Sequence, residues 1–161
     1  MNSEERSKKI EIYGGAVAVL EVTLEGIPRS AWKYRPKPGE WSIHEIVIHL
    51  ADSETNAALR ARRLVAEPGQ PVMAYDQDVW ARELNYHDQD PDEALKLVKY
   101  ARLTTYQWLK TLPDKVFKNS VVHPEFDEPY TFEMWLNIYA AHIPDHVKQI
   151  KNNYVFWKNT R

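Results

Sequence analysis

The chain is 161 residues long, enough for one domain with a proper core. Its 21 Lys and Arg against 23 Asp and Glu give a net charge of −2 with no basic block. That balance excludes nucleic acid and an anionic membrane surface as expected partners. No cysteine is present, which excludes disulfides, all-cysteine zinc sites, iron–sulfur clusters and a cysteine nucleophile. Any metal chemistry falls to the six histidines and the carboxylates. The longest apolar run, residues 16–20, is far short of the ~20 residues of a membrane span. The mixed-charge start leads to no signal-peptide core, and a cytoplasmic location is expected.

Residues 3–26 carry Ile10, Tyr13, Val17, Leu20 and Leu24 at steps of three and four, the period of one helical face. Gly14-Gly15 interrupts this segment at a cost of ~1 kcal/mol per glycine relative to alanine, which close approach by a neighbouring helix would explain. Pro28 and the stretch Pro36-Lys37-Pro38-Gly39 end the unit. Ser42 and Glu45 then form a capping box, with Trp41 and Ile46 as its hydrophobic staple. The helix they open is predicted to run over residues 43–66, up to Pro68-Gly69-Gln70-Pro71. Residues 73–84 read as a loop with one or two helical turns. Asp90, Pro91 and Glu93 mark the next start as cap, first position and box partner. The predicted core face of that helix is Leu97, Ala101, Thr104, Trp108 and Leu112. Residues 116–130 lack helical period and suggest an extended excursion or small hairpin. Thr131 is the cap of a last helix carrying Trp135, Ile138, Tyr139, His142, His146, Ile150 and Tyr154. Four long helices with no reliable strand pattern predict an all-α, four-helix bundle filling the single domain of residues 1–161.

His142 and His146 lie one turn apart on one face of the last helix, and His49 sits in the core-like run Ile46-Val47-Ile48-His49-Leu50. In a bundle, metal ligands project inward from facing helices, so these three imidazoles are the candidate ligands. A His-x-x-x-His pair arises by chance about 0.2 times in such a chain, so the pair alone is weak evidence. The alternative is three satisfied buried histidines. His44 is about 140° around the helix from His49 and points elsewhere. His87 and His123 fall in loops and read as solvated. Pro144 lies between the two late histidines, where it removes one helical hydrogen bond and crowds the carbonyl of Ala140. The nearby carboxylates Glu45, Asp52 and Asp145 read first as surface residues; Asp52 is the best placed of them to hold an imidazole's other nitrogen.

Trp41-Ser42 leading to His49-Leu50-Ala51-Asp52-Ser53, then Tyr75-Asp76 with Trp80, then His142-x-x-x-His146 and Ile150, resembles the DinB superfamily, and within it the YfiT-like branch described as metal-dependent hydrolases. The likeness extends over residues 36–150. It implies an up-down-down-up bundle, a divalent metal, zinc or nickel, held by His49, His142 and His146, and a homodimer. Some relatives transfer low-molecular-weight thiols such as bacillithiol. Pro144 departs from the pattern.

The expected function is therefore that of a small-molecule metalloenzyme. A tri-imidazole zinc lowers the pKa of bound water toward ~7, which suits hydrolysis. The same ion could instead hold an exogenous thiol as thiolate for S-transfer. A non-catalytic, metal-stabilised stress-associated bundle is the third alternative. No hydrolytic base is named by any motif. Tyr75, Asp76 and Trp80 are candidates for the border of the substrate pocket, with ordinary packing or loop capping as the equal alternative.

Overall fold

Side-chain caps fix where the long helices begin. In the computed structural model, which describes residues 1–160, Asn2 and Glu5 close a capping box at the start of α1 (Ser3–Glu25), and Ser42 and Glu45 close one at α2 (Ile43–Ala66). Asp76 caps the short α3 (Gln77–Glu83), Asp90 caps α4 (Pro91–Leu109), and Thr131 accepts from the Met134 amide to cap α5 (Phe132–Asn159). The Glu93 carboxylate does not complete a box; it pairs with Lys96 instead. α5 runs unbroken through Pro144.

The long helices form a four-helix bundle whose directions follow from their contacts. Lys99 on Glu21 and Tyr106 on Glu11 set α4 antiparallel to α1. The Met1 amino group on Glu133 joins the first ends of α1 and α5, which run parallel. Trp135 donates to the Ala57 carbonyl, and Asn153 to that of Trp41, so α5 is antiparallel to α2. Arg102 on Glu54 and Arg62 on Thr105 set α4 parallel to α2. The course is up-down-down-up, with α1 beside α4 and α5, and α2 beside the same two. Parallel neighbours need a long return, and residues 67–90, with α3, supply it between α2 and α4.

Gly14 explains half of the glycine pair. A Cβ there would lie 2.5 Å from the Tyr106 ring, whereas one on Gly15 would meet nothing within 4 Å. The register predicted for α4 is corrected by one residue. Its buried side is Ala94, Val98, Arg102, Thr105 and Leu109, and Leu97 is 48% exposed. On α5, Ile138 is also exposed, while Leu136, Ile143 and Val147 are buried.

The core is two apolar clusters. One is built from Leu20, Leu24, Ile43, Ile46, Leu50, Val98 and Ile143, the other from Tyr13, Ala57, Leu64, Leu109, Phe132 and Trp135. Between them along α2, α4 and α5 lie Glu54, Arg102 and His142, a polar layer through the bundle. The expected hairpin is small: β1 (Ser120–Val121) pairs antiparallel with β2 (Tyr130–Thr131). Gly69 and Val72 donate to the Ser120 and Val122 carbonyls, which ties the segment after α2 to the hairpin. That strap brings residues 73–77 over the middle of the bundle.

Candidate metal centre

His49 lies on α2 two turns past its cap, and His142 and His146 lie mid-way along the antiparallel α5. One ligand atom of each lies within 4.8 Å of the other two. The ring centroids are 4.8–5.5 Å apart, and Trp41 covers His49 from 4.7 Å. Three nitrogens this close can converge on a single ion, for which zinc takes bonds of ~2.0–2.1 Å.

The other nitrogens are held. His142 Nδ1 donates to Glu54 Oε1 at 3.0 Å, and His146 Nδ1 donates to Gln149 Oε1 at 2.9 Å. Those bonds leave Nε2 of each ring carrying the lone pair. His142 Nε2 faces Ser53 Oγ at the long distance of 3.5 Å. Neither nitrogen of His49 has a hydrogen-bond partner, although both are buried. Burial, followed by the neighbouring imidazoles His146 and His142, lowers the His49 pKa to about 2. Burial and His142 lower that of His146 to about 4. Both rings are neutral at pH 7, the form that binds metal.

Glu54 is 1% exposed and was not singled out by motif. Burial pushes its pKa up, but the Arg102 guanidinium and His142 reverse this, and the net shift is downward. Arg102 meets Glu54 through two bonds of 2.6 and 2.7 Å and donates to the Tyr13 and Tyr139 carbonyls. A signal for both residues existed: Glu54 continues the buried stripe of Ile43, Ile46, Leu50, Ala57 and Ala61, and Arg102 that of Val98, Thr105 and Leu109. A charge at a core register is a buried pair in waiting.

The role expected of Asp52 is corrected. Its carboxylate accepts from the Tyr86 hydroxyl, not from His49, because three residues of helix turn it aside toward the segment before α4. Glu45 holds the α2 cap and Arg35, and the exposed Asp145 pairs with Lys148. His44 points away, its Nε2 donating to the Gln89 carbonyl. His87 is half-buried rather than solvated. The solvated reading of His123 fails, since it is 3% exposed; the strap and hairpin fold over it.

A cavity of about 660 Å³ opens beside the triad, lined by His49, Ser53, Tyr75, His123, Tyr139 and His142 among others. Tyr75 and Asp76 line it, and Asp76 also caps α3. Trp80 does not line it; its ring packs against that of Tyr75, tilted by 35° with centroids 4.3 Å apart. Arg60, Tyr130 and Tyr139 also line it, and no sequence motif marked them.

The chain is 27% identical over 150 residues to a protein of Bacillus subtilis named "Putative metal-dependent hydrolase YfiT", a match covering 93% of this chain and 84% of that one. A protein of Bacillus licheniformis with the same descriptive name is 26% identical over 115 residues, 71% of this chain and 65% of the relative. The solved structure of YfiT, described as having "an unusual four-helix bundle topology", superposes with a TM-score of 0.88 at 27% identity, over 95% of this chain and 87% of that one. The sequence profile of the DinB superfamily matches residues 15–150, and with the YfiT likeness in sequence and structure it establishes that the chain belongs to the DinB superfamily, in its YfiT-like branch.

Proposed function

We propose that the protein is a small-molecule hydrolase in which His49, His142 and His146 hold one divalent metal ion beside the substrate cavity. The observation that carries this reading is His49, a buried, neutral imidazole with both nitrogens unpartnered and aimed into a cluster of two more. Leaving such a group unanswered costs about 1–3 kcal/mol, which a metal bond removes. Three nitrogen donors suit zinc and nickel alike. A divalent ion held only by neutral imidazoles keeps its full charge and a free position, and supplies Lewis acidity for attack by water.

The rest is the work of the chain's own groups. Glu54 and Gln149 fix the tautomers and ring orientations of His142 and His146. Tyr75, Ser53 and Tyr139 set hydroxyls on the wall facing the triad, where they can orient a carbonyl or ester oxygen. Val72 of the strap and Val121 of the hairpin pack with Phe117 and Phe132 in one apolar cluster, which anchors that wall. No segment of the bundle forms a membrane span among the described residues.

The test is turnover of a panel of small esters, amides and lactones by protein loaded with zinc or nickel, compared with protein stripped by chelator. Hydrolysis that needs metal and is lost in His146→Ala is expected. Turnover that appears only with an added low-molecular-weight thiol and a chloroaromatic electrophile would overturn hydrolysis in favour of S-transfer. Thiol must come from outside, because the chain has no cysteine.

A further inference from the structure

Every arginine among the described residues except Arg60 and Arg62 has a carboxylate within 4.0 Å. Arg62 faces solvent, the Ala58 carbonyl and Thr105. Arg60 differs, because it lines the cavity beside the histidine triad. Its Nη1 donates to the Tyr139 hydroxyl at 3.2 Å and its Nη2 to the Met73 carbonyl at 2.6 Å. Both partners are neutral. Its Nε is buried and has no partner at all. A guanidinium has five N–H donors in a rigid fork, so three have no protein partner, and the one on Nε is closed off from solvent as well. Withdrawing such a cation from water is unfavourable unless an anion arrives to meet it.

The surroundings say where that anion would lie. The phenol that Arg60 holds belongs to Tyr139, whose ring is 5.6 Å from the His142 ring between centroids. The charge therefore sits one aromatic ring away from the candidate metal ligands, in the same cavity. His123 stands in that cavity too; burial and then the Arg60 charge lower its pKa. Tyr75, Phe126, Tyr130 and Ile138 supply apolar wall. The cavity's own carboxylates, on Asp76 and Glu125, are exposed at its rim, and neither reaches Arg60. Asp76 is already committed to capping α3.

We infer that Arg60 is the specificity residue for a substrate carboxylate: the molecule bound is a small acid with an apolar or aromatic body, its carboxylate on the Arg60 fork and its reacting bond toward His49 and His142. This inference rests on the hydrolase reading for the reacting end but not for the acid end. Tyr139 acts as a positioning residue, holding the fork open toward the cavity.

Calorimetric titration of the full chain, with and without one equivalent of zinc, tests it. The probes are 3-phenylpropionate and its neutral isostere 3-phenylpropionamide. Wild type is expected to bind the acid at least about tenfold tighter than the amide, as a charge-assisted fork requires. The preference should persist without zinc, vanish in Arg60→Gln and return in part in Arg60→Lys. In nitrogen-resolved NMR, the Arg60 Nε–H resonance should move with the acid and not with the amide. Gln keeps a donor for Tyr139, and unchanged circular dichroism and zinc uptake in Arg60→Gln show that the bundle is intact. Equal affinity for acid and amide, a preference that survives Arg60→Gln, a preference seen only with zinc, or no saturable acid binding up to about 10 mM overturns the inference. Zinc uptake without acid preference removes this inference alone, whereas acid preference without zinc uptake removes the hydrolase reading alone.

Discussion

A carboxylate as buried as that of Glu54 is tolerated only when its charge is answered, and Arg102 answers it through a fork of two bonds while His142 takes the same oxygen, Oε1, as one arm of that fork. Glu54→Gln keeps the shape but strands the Arg102 cation. Urea unfolding is expected to show a loss of about 3–5 kcal/mol. Metal affinity, read by competition with a chromophoric chelator, should also fall by about 10–100-fold, because His142 exchanges a carboxylate acceptor for a neutral amide that fixes its tautomer less firmly. Asp52→Asn serves as the contrast: it touches Tyr86 and not the triad, so metal affinity should stay within about twofold of wild type. At this scale the three histidines were legible because helix period alone aligns His142 with His146, and because His49 interrupts an apolar run. Glu54 showed only as a charge in the core stripe of α2 and Arg60 not at all, since no motif contains them and their partners lie on distant segments: Arg102 is 48 residues from Glu54, and Tyr139 is 79 from Arg60.

Each helix depends on local features whose removal gives opposite signs. Gly15→Ala places a methyl in open space and is expected to stabilise by about 1 kcal/mol through helix propensity alone. Gly14→Ala drives a methyl into the Tyr106 ring, whose hydroxyl donates to Glu11, and should destabilise by about 1–3 kcal/mol in spite of the same propensity gain. Thermal melts of the two variants decide it. At the start of α2, burial pushes the Glu45 carboxyl up, but Arg35 and the Ser42 amide and hydroxyl outweigh it and hold its pKa at about 2. A carboxylate depressed in the folded state gives stability that is present above its unfolded pKa of about 4.5 and lost as pH falls toward 2. Glu45→Gln should therefore cost stability at pH 7, and the gap from wild type should close between pH 4.5 and 2 in urea titrations. Helix ends were readable from the sequence because caps are local chemistry: Ser42, Asp90 and Thr131 each bond an amide within three residues. The face of α4 was not. Leu97, Tyr100 and Leu103 are apolar but exposed, and the core register is occupied by Arg102, so composition pointed to the wrong side.

The whole molecule is a bundle divided by its own polar layer. Two apolar clusters supply the burial that holds α1, α2, α4 and α5 together, and Glu54, Arg102 and the triad occupy the level where those clusters meet. Because α2 and α4 run parallel, the long return between them is free to fold back, and its pairing with the hairpin turns the open side of that layer into a walled cavity. The class of fold followed from four periodic segments. The cavity did not, because it depends on Gly69 and Val72 meeting Ser120 and Val122, and nothing local in either segment announces the other.

Metal stoichiometry of the untagged full chain, measured by plasma mass spectrometry after reconstitution with zinc or nickel and gel filtration, addresses the shared ion most directly. One equivalent in wild type is expected, falling below about a tenth in His49→Ala with the helical signal preserved, since removing one of three imidazoles leaves too few donors. A wild-type chain that leaves the column without stoichiometric metal, or a His49→Ala chain that still carries it, would contradict a site built from His49, His142 and His146.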